Sequence, residues 1–182
     1  YGDVAGWTWG AEFETSRSES DGTIPSGDHD FDRTTGRVQL VGPNSQTDLF
    51  AGYQSKFFGW PELYAAPYGS NETENVKTRL FILNHQQSYG DRSSLEATVY
   101  HRRHGDHYVF NRTSPNNNFM HETKVSSAGL SGLHAIDEQF AINYTMQITE
   151  DEIESSALEQ GRFTSRTYYK LSVLPEYRSD LN

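Results

Sequence analysis

The sequence predicts an all-β chain: an antiparallel sheet of about eight strands with the pattern of a transmembrane β-barrel. Three observations predict it. Apolar and polar residues alternate with period two along most of the chain. The connections between these stretches are short and long in turn, as on the two rims of a membrane barrel. Aromatic residues make up 13 % of a chain that is only 34 % hydrophobic, which is too aromatic for a disordered segment and too thin for a thick packed core. No run approaches 18 consecutive apolar residues, so a membrane helix is excluded, whereas barrel strands need only about 10 residues, half of them polar.

The elements follow in order. From Val4 to Thr15, Ala5, Trp7, Trp9, Ala11 and Phe13 alternate with Gly6, Thr8, Gly10, Glu12 and Glu14. Arg37 to Val41 alternates again, Gly42-Pro43-Asn44-Ser45 breaks the chain, and Leu49, Ala51, Tyr53 and Phe57 resume against Asp48, Gln54 and Lys56, which reads as two strands and a tight turn. Val76 to Gln86 sets Leu80 and Ile82 against Lys77 and Arg79, with Phe81 and Leu83 blurring the pattern, and Tyr89-Gly90-Asp91 turns into Leu95, Ala97 and Val99. His121 to Leu130 is a weaker stretch. Phe140 to Ile148 and Phe163 to Val173 complete the set. Short turns are expected near residues 43–47, 88–92 and 131–135, and long polar segments near 17–33, 57–75, 104–119 and 149–161. In the last of these, Thr149-Glu150-Asp151-Glu152 reads as a capping box ahead of Ile153, Ala157 and Leu158, with Gly161 as a stop, so a short helix is expected there. No linker divides the chain, and residues 1–182 read as a single segment.

Charge and composition narrow the function. Lys and Arg number 15 against 25 Asp and Glu, a net charge of −10, and without a basic run the chain lacks the footprint that a phosphate backbone demands. Nucleic acid is not an expected partner. The absence of Cys removes disulfides, Cys-ligated metals and a thiol nucleophile. No Gly-x-Ser-x-Gly elbow, phosphate-cradling glycine loop or His-Glu-x-x-His helix is present, and no enzyme is expected.

Several strings carry a family likeness: Trp7-Thr8-Trp9-Gly10-Ala11-Glu12, Phe57-Phe58-Gly59-Trp60-Pro61-Glu62-Leu63-Tyr64, Glu72-Thr73-Glu74, Tyr108-Val109-Phe110-Asn111-Arg112, His121-Glu122-Thr123, and Gly161-Arg162-Phe163-Thr164-Ser165-Arg166 followed by Pro175-Glu176-Tyr177. From about Gly2 to Tyr177 the chain resembles the barrel of TonB-dependent outer-membrane receptors, cobalamin-receptor-like members above all. The resemblance implies a 22-stranded barrel in the outer membrane of a Gram-negative bacterium, contacts with lipid, a plug domain, TonB as the source of energy, and active uptake of a small scarce nutrient such as cobalamin or a siderophore complex. These residues hold no counterpart of the plug or TonB box, open on Tyr1 and close without a terminal aromatic. An internal portion of such a barrel is therefore expected. Two further readings use the same residues: a small barrel closed at eight strands with a structural or adhesive role, and a soluble β-sandwich that binds carbohydrate through Trp and Tyr.

Candidate sites follow. The loop from Ser20 to Asp32 sets Asp28, Asp30 and Asp32 at alternate positions, offering the hard oxygen ligands that calcium takes, as outer loops of some receptors in the resembled family do. The EF-hand pattern fails at its sixth and twelfth positions, occupied by Arg33 and Gln39. A second loop holds Trp60, Tyr64 and Tyr68 among Phe57, Phe58, Pro61 and Pro67, amphipathic rings suited to stacking on a ligand or to the belt where a barrel meets headgroups. The run His101-Arg102-Arg103-His104-Gly105-Asp106-His107 offers imidazoles, but alternate residues of an extended chain point to opposite sides. Lipid-facing positions are expected to include Trp7, Trp9, Phe13, Leu49, Tyr53, Leu80, Ile82, Leu95, Val99, Ile142, Tyr144, Phe163, Tyr169 and Leu171. Lumen-facing ones are expected to include Glu12, Glu14, Gln54, Lys77, Arg79, Glu96, Arg102, Arg166 and Lys170.

Overall fold

The computed structural model describes residues 2–4, 6–64, 69–158 and 163–179. Nine antiparallel strands pair in chain order into one sheet, each with its sequence neighbours. They are β1 (Gly2–Val4), β2 (Trp7–Ser20), β3 (His29–Val41), β4 (Ser45–Gly59), β5 (Thr73–Tyr89), β6 (Ser93–Val109), β7 (Asn118–Ala135), β8 (Phe140–Ser155) and β9 (Ser165–Tyr177). β1 and β9 form the two edges of an open sheet, so the described residues form neither a barrel closed at eight strands nor the second layer of a sandwich. Among them there is no helix. Pro175 sits on the edge strand β9, where a missing N–H leaves the ladder intact.

Period two and an unbroken register sort the side chains into two faces. One line of directly paired residues reads Ala11, Val38, Leu49, Leu83, Val99, Ala128, Ile148, Tyr169 across β2 to β9. The adjoining line on the other face reads Gly10, Gln39, Asp48, Asn84, Thr98, Gly129, Gln147, Lys170. The first face carries an apolar belt. The second carries hydrogen-bonded ladders: Arg37, Gln39 and Gln46 all donate to Asp48, Asn84 donates to Glu96 and Thr98, and Ser127 meets Thr149. Neither face is covered. Among the described residues only Val109 and Ala141 are buried apolar side chains.

Trp7, Trp9, Phe13, Leu49, Tyr53, Leu95, Val99, Ile142, Tyr144, Tyr169 and Leu171 share the belt face as expected. On β5 the assignment inverts. Leu80 and Ile82 lie on the polar face opposite Arg102 and Tyr100, while Phe81 and Leu83 join the belt and Lys77 and Arg79 share its face. Both parities are apolar in mid-strand here, so only the neighbours' register decides. Phe163 precedes β9 and is 90 % exposed.

The strands also run farther into the polar segments than their hydropathy indicates. β3 begins at His29, because Arg17 on β2 meets Asp30 (3.3 Å) and Asp32 (4.0 Å) and the Thr15 and Thr34 hydroxyls meet at 3.3 Å. β6 swallows the histidine run whole. The expected helix after Thr149 is strand through Ser155. Its local capping signal loses to cross-strand partners: Lys124 reaches Glu152 (3.6 Å) and Glu154 (2.8 Å), and Arg166 reaches Asp151 (2.8 Å). Gly161 lies outside the described residues. Tight connections remain at one end of the sheet, residues 42–44, 90–92 and 136–139, and long ones at the other, residues 21–28, 60–72, 110–117 and 156–164.

Candidate functional site

The long-connection end is where side chains converge. β4 delivers the chain to Gly59, whose N–H donates to the Asp28 carbonyl (2.8 Å). A Cβ on Gly59 would stand 1.9 Å from the Ser26 carbonyl oxygen, so glycine alone lets residues 21–28 pass against this strand end. Beyond it, Trp60 N–H donates to the Glu72 carbonyl (2.9 Å) and Glu62 N–H to the Ser70 carbonyl (3.1 Å). Residues 60–64 and 70–72 thus run side by side, and the Glu72 carboxylate, 0 % exposed, turns back into the space they enclose. It accepts from Tyr64 N–H (2.9 Å) and from the Ser70 hydroxyl (3.2 Å).

Tyr108, near the end of β6, stands close enough to the same carboxylate to feel its charge. Burial first of all, then the charge of Glu72, pushes its phenol up to about 12, so it stays a proton donor. Burial, and then the neighbouring Asp106, raise the Glu74 carboxyl above its ordinary value. Arg112 fastens three connections at once. Its backbone N–H donates to the Asn71 carbonyl (2.9 Å), its guanidinium donates to Asp28 (2.7 Å), and the guanidinium carbon lies 5.8 Å from the Phe57 ring centre. That hydrogen bond, the largest influence, holds the Asp28 carboxyl below its ordinary range.

Above this fastening, aromatic rings line the end of the polar face in two runs. His29, Phe31, Phe58 and Trp60 succeed one another at ring-centre distances of 4.7, 6.2 and 4.9 Å. Tyr64, Tyr108 and Phe119 follow at 5.6 and 6.3 Å. Lys56 stands 5.7 Å from the Phe31 ring centre. Trp60 is 41 % exposed and Tyr64 69 %, leaving ring surface free to stack on a ligand while Glu72 and Arg112 hold the connections beneath.

Of the residues that the sequence singles out, Trp60 and Tyr64 are brought into this arc, and Tyr68 lies outside the described residues. Asp28, Asp30 and Asp32 are shared between two guanidinium groups, Arg112 and Arg17. Among the described residues no group of three or more His, Asp or Glu side chains is placed to hold a metal ion. The histidines of β6 diverge: His101 meets Ser126 (2.9 Å) on the belt face and His104 meets Thr78 (2.9 Å) on the other. Sequence reasoning misses Glu72, Arg112 and the strand-end rings Phe31, Tyr108 and Phe119. The available signal was parity, since all three rings occupy positions opposite the belt residues of their own strands.

No family model matches the chain, and no curated protein or solved structure matches it either.

Proposed function

We propose that this chain is a section of the wall of a TonB-dependent outer-membrane receptor in a Gram-negative cell, its belt face against lipid and its aromatic arc part of the mouth that captures a scarce small nutrient. One observation carries the reading: the register line from Ala11 to Tyr169, apolar on all eight long strands and covered by nothing. Burying a Val, Leu or Ile side chain is worth about 1.5–3 kcal/mol, and a monomer in water rarely leaves a contiguous apolar surface of this extent bare. Lipid supplies the missing cover. The polar opposite face suits a water-filled or plugged lumen.

Two further features support a tilted barrel wall. The long strands have 13 to 18 residues, more than the 9–11 or so that cross a bilayer, so their loop ends project beyond it. The apolar stretch also drifts toward the tight turns. On β4 it centres on Ala51, whose register line reaches β9 at Thr167, while on β9 the stretch from Tyr169 to Tyr177 centres on Val173, a drift of 173 − 167 = 6 residues over five strands. From β2 to β4 the drift does not hold: the stretch from Trp7 to Phe13 centres on Gly10, whose register line reaches β4 at Asp48, three residues nearer the tight turns than Ala51. At about 3.4 Å per residue and 4.8 Å between strands, the drift from β4 to β9 corresponds to a strand tilt of roughly 40°, within the range barrels adopt. The plug and TonB, which act on such a barrel from outside these residues, would close and open the lumen.

The three Trp residues test the reading. In vesicles of brominated phosphatidylcholine, a full-length variant retaining Trp9 alone is expected to be quenched strongly and one retaining Trp60 alone weakly. Equal quenching, or none at Trp9, would sink the lipid-facing assignment. TonB-dependent uptake of the nutrient by cells carrying the Trp60→Ala, Tyr64→Ala variant tests the receptor half: unchanged uptake would remove the arc from capture.

A further inference from the structure

We infer that the belt face carries, just beyond the apolar belt on β5 to β7, a site for the phosphate of an anionic lipid headgroup; the inference rests on the reading of that face as lipid-facing. The register line that runs Tyr53, Arg79, Arg103, Lys124 places three cations side by side on adjacent strands. Like charges directly opposite one another destabilise a sheet, so this triplet calls for anions. Carboxylates supply part of the need: Glu122 reaches Arg103 (2.7 Å) and Lys124 (3.4 Å), and Glu154 reaches Lys124 (2.8 Å). Arg79 receives none. Nor does Lys77, two residues along the same face; both are exposed, and among the described residues no carboxylate stands within ion-pair distance of either.

The ground between them is hollow. Gly105 stands between Lys77 and Glu122 in the register, and without a side chain there the face sinks into a concavity of about 670 Å³, lined by Lys77, Arg79, Arg103 and Asn75 on one side and by Glu122 and Glu154, the partners of Arg103 and Lys124, on the other. The side-chain oxygen of Asn75 is buried without a donor. Two cations without a carboxylate, Lys77 and Arg79, beside the Asn75 acceptor that lacks a donor match a phosphate carrying a neighbouring hydroxyl, the chemistry of a phosphoglycerol headgroup. Phe81, the next belt-face residue of β5 after Arg79, and then Leu83 are placed to meet the acyl chains, and Tyr53 beside Arg79 supplies the amphipathic ring common at that depth.

The test titrates the full-length protein in uncharged detergent with phosphatidylglycerol, glucosyl diacylglycerol and inorganic phosphate, counting bound molecules by native mass spectrometry. Phosphatidylglycerol is expected to be retained and the uncharged glycolipid not. The Lys77→Gln, Arg79→Gln variant is expected to bind phosphatidylglycerol about 30-fold more weakly, the effect of two cations at a membrane surface, while Arg102→Gln on the opposite face binds as the parent does. Equal retention of the two lipids, or full retention by the double variant, overturns the site, and quenching of Trp9 by brominated phosphatidylcholine then shows whether the lipid-facing reading survives by itself. Binding of inorganic phosphate with the same affinity as the lipid overturns the lipid assignment in favour of a free-anion site.

Discussion

Two halves of the same strands obey different rules. On β8 the belt face reads Ile142, Tyr144, Met146, Ile148 toward the tight turn and Glu150, Glu152, Glu154 toward the long connections. The neighbouring strands change within one or two steps of the same register: Phe81 gives way to Arg79, Val99 to His101, Ala128 to Ser126. In the turn half the belt face is held by backbone ladders between apolar side chains. In the loop half side chains hold each other, through Lys124 with Glu152 and Glu154, Arg17 with Asp30, and Arg112 with Asp28. One strand and one face thus change residue type at a boundary that the register carries across β5 to β8.

The sharpest way to break this contrast is to move a charge across the boundary. Met146→Arg is expected to destabilise the inserted protein by about 2–4 kcal/mol, and Glu150→Arg, four residues along the same face, by about 0–1 kcal/mol. Urea unfolding from phosphatidylcholine vesicles reads the difference, and comparable losses would erase the boundary. In the loop half the largest effect is expected from Glu72→Ala, which strands the Tyr64 N–H and the Ser70 hydroxyl. The loss is about 1–3 kcal/mol confined to residues 60–72, and Glu72→Gln, which still accepts, recovers part of it. Amide exchange resolved by segment checks the confinement: protection lost evenly over the sheet would mean that the two halves are one unit.

Arg112→Ala is expected to cost about 2 kcal/mol, with proteolytic nicking appearing within residues 21–28 and 60–72. Arg112→Lys keeps the charge and the backbone bond to Asn71 but loses the planar fork that faces both Asp28 and the Phe57 ring, and an intermediate nicking rate follows. Nicking rates equal to the parent's in both variants would remove Arg112 from its fastening role.

The turn half was legible in the sequence because lipid or core cover acts on every second residue independently, and period two survives in a single strand such as Trp7 to Phe13. The loop half was not, because its order comes from pairs far apart in sequence. Asp28 and Arg112 are 84 residues apart, and nothing local to either announces the other. The same cause lengthened the strands beyond their hydropathy and turned the capping box at Thr149 into strand. β5 failed differently: with Leu80, Phe81, Ile82 and Leu83 in succession, its own sequence does not choose a face, and Lys77 and Arg79 were sent to the lumen with the wrong parity. For the same reason the cation row went unseen, since Arg79, Arg103 and Lys124 meet only through the register.

The smallest expected effect separates two carboxyls of the loop half by pH. Glu74 is raised above its ordinary 4.5 by burial and then by Asp106, so its contribution is complete below 4.5 and is lost as pH rises through its folded value. Asp28 is lowered from its ordinary 3.8, first by the hydrogen bond from Arg112, so its contribution is complete above 3.8 and is lost as pH falls through its folded value. Acidification from neutral should therefore first protect the amides of residues 73–75 and 106–109 as Glu74 takes up its proton, and then, below 3.8, release residues 21–28. Glu74→Gln takes up no proton in this range and should abolish the first step while leaving the second. Amide exchange corrected for its intrinsic pH dependence measures both steps, and a first step that persists in Glu74→Gln would assign it to another group.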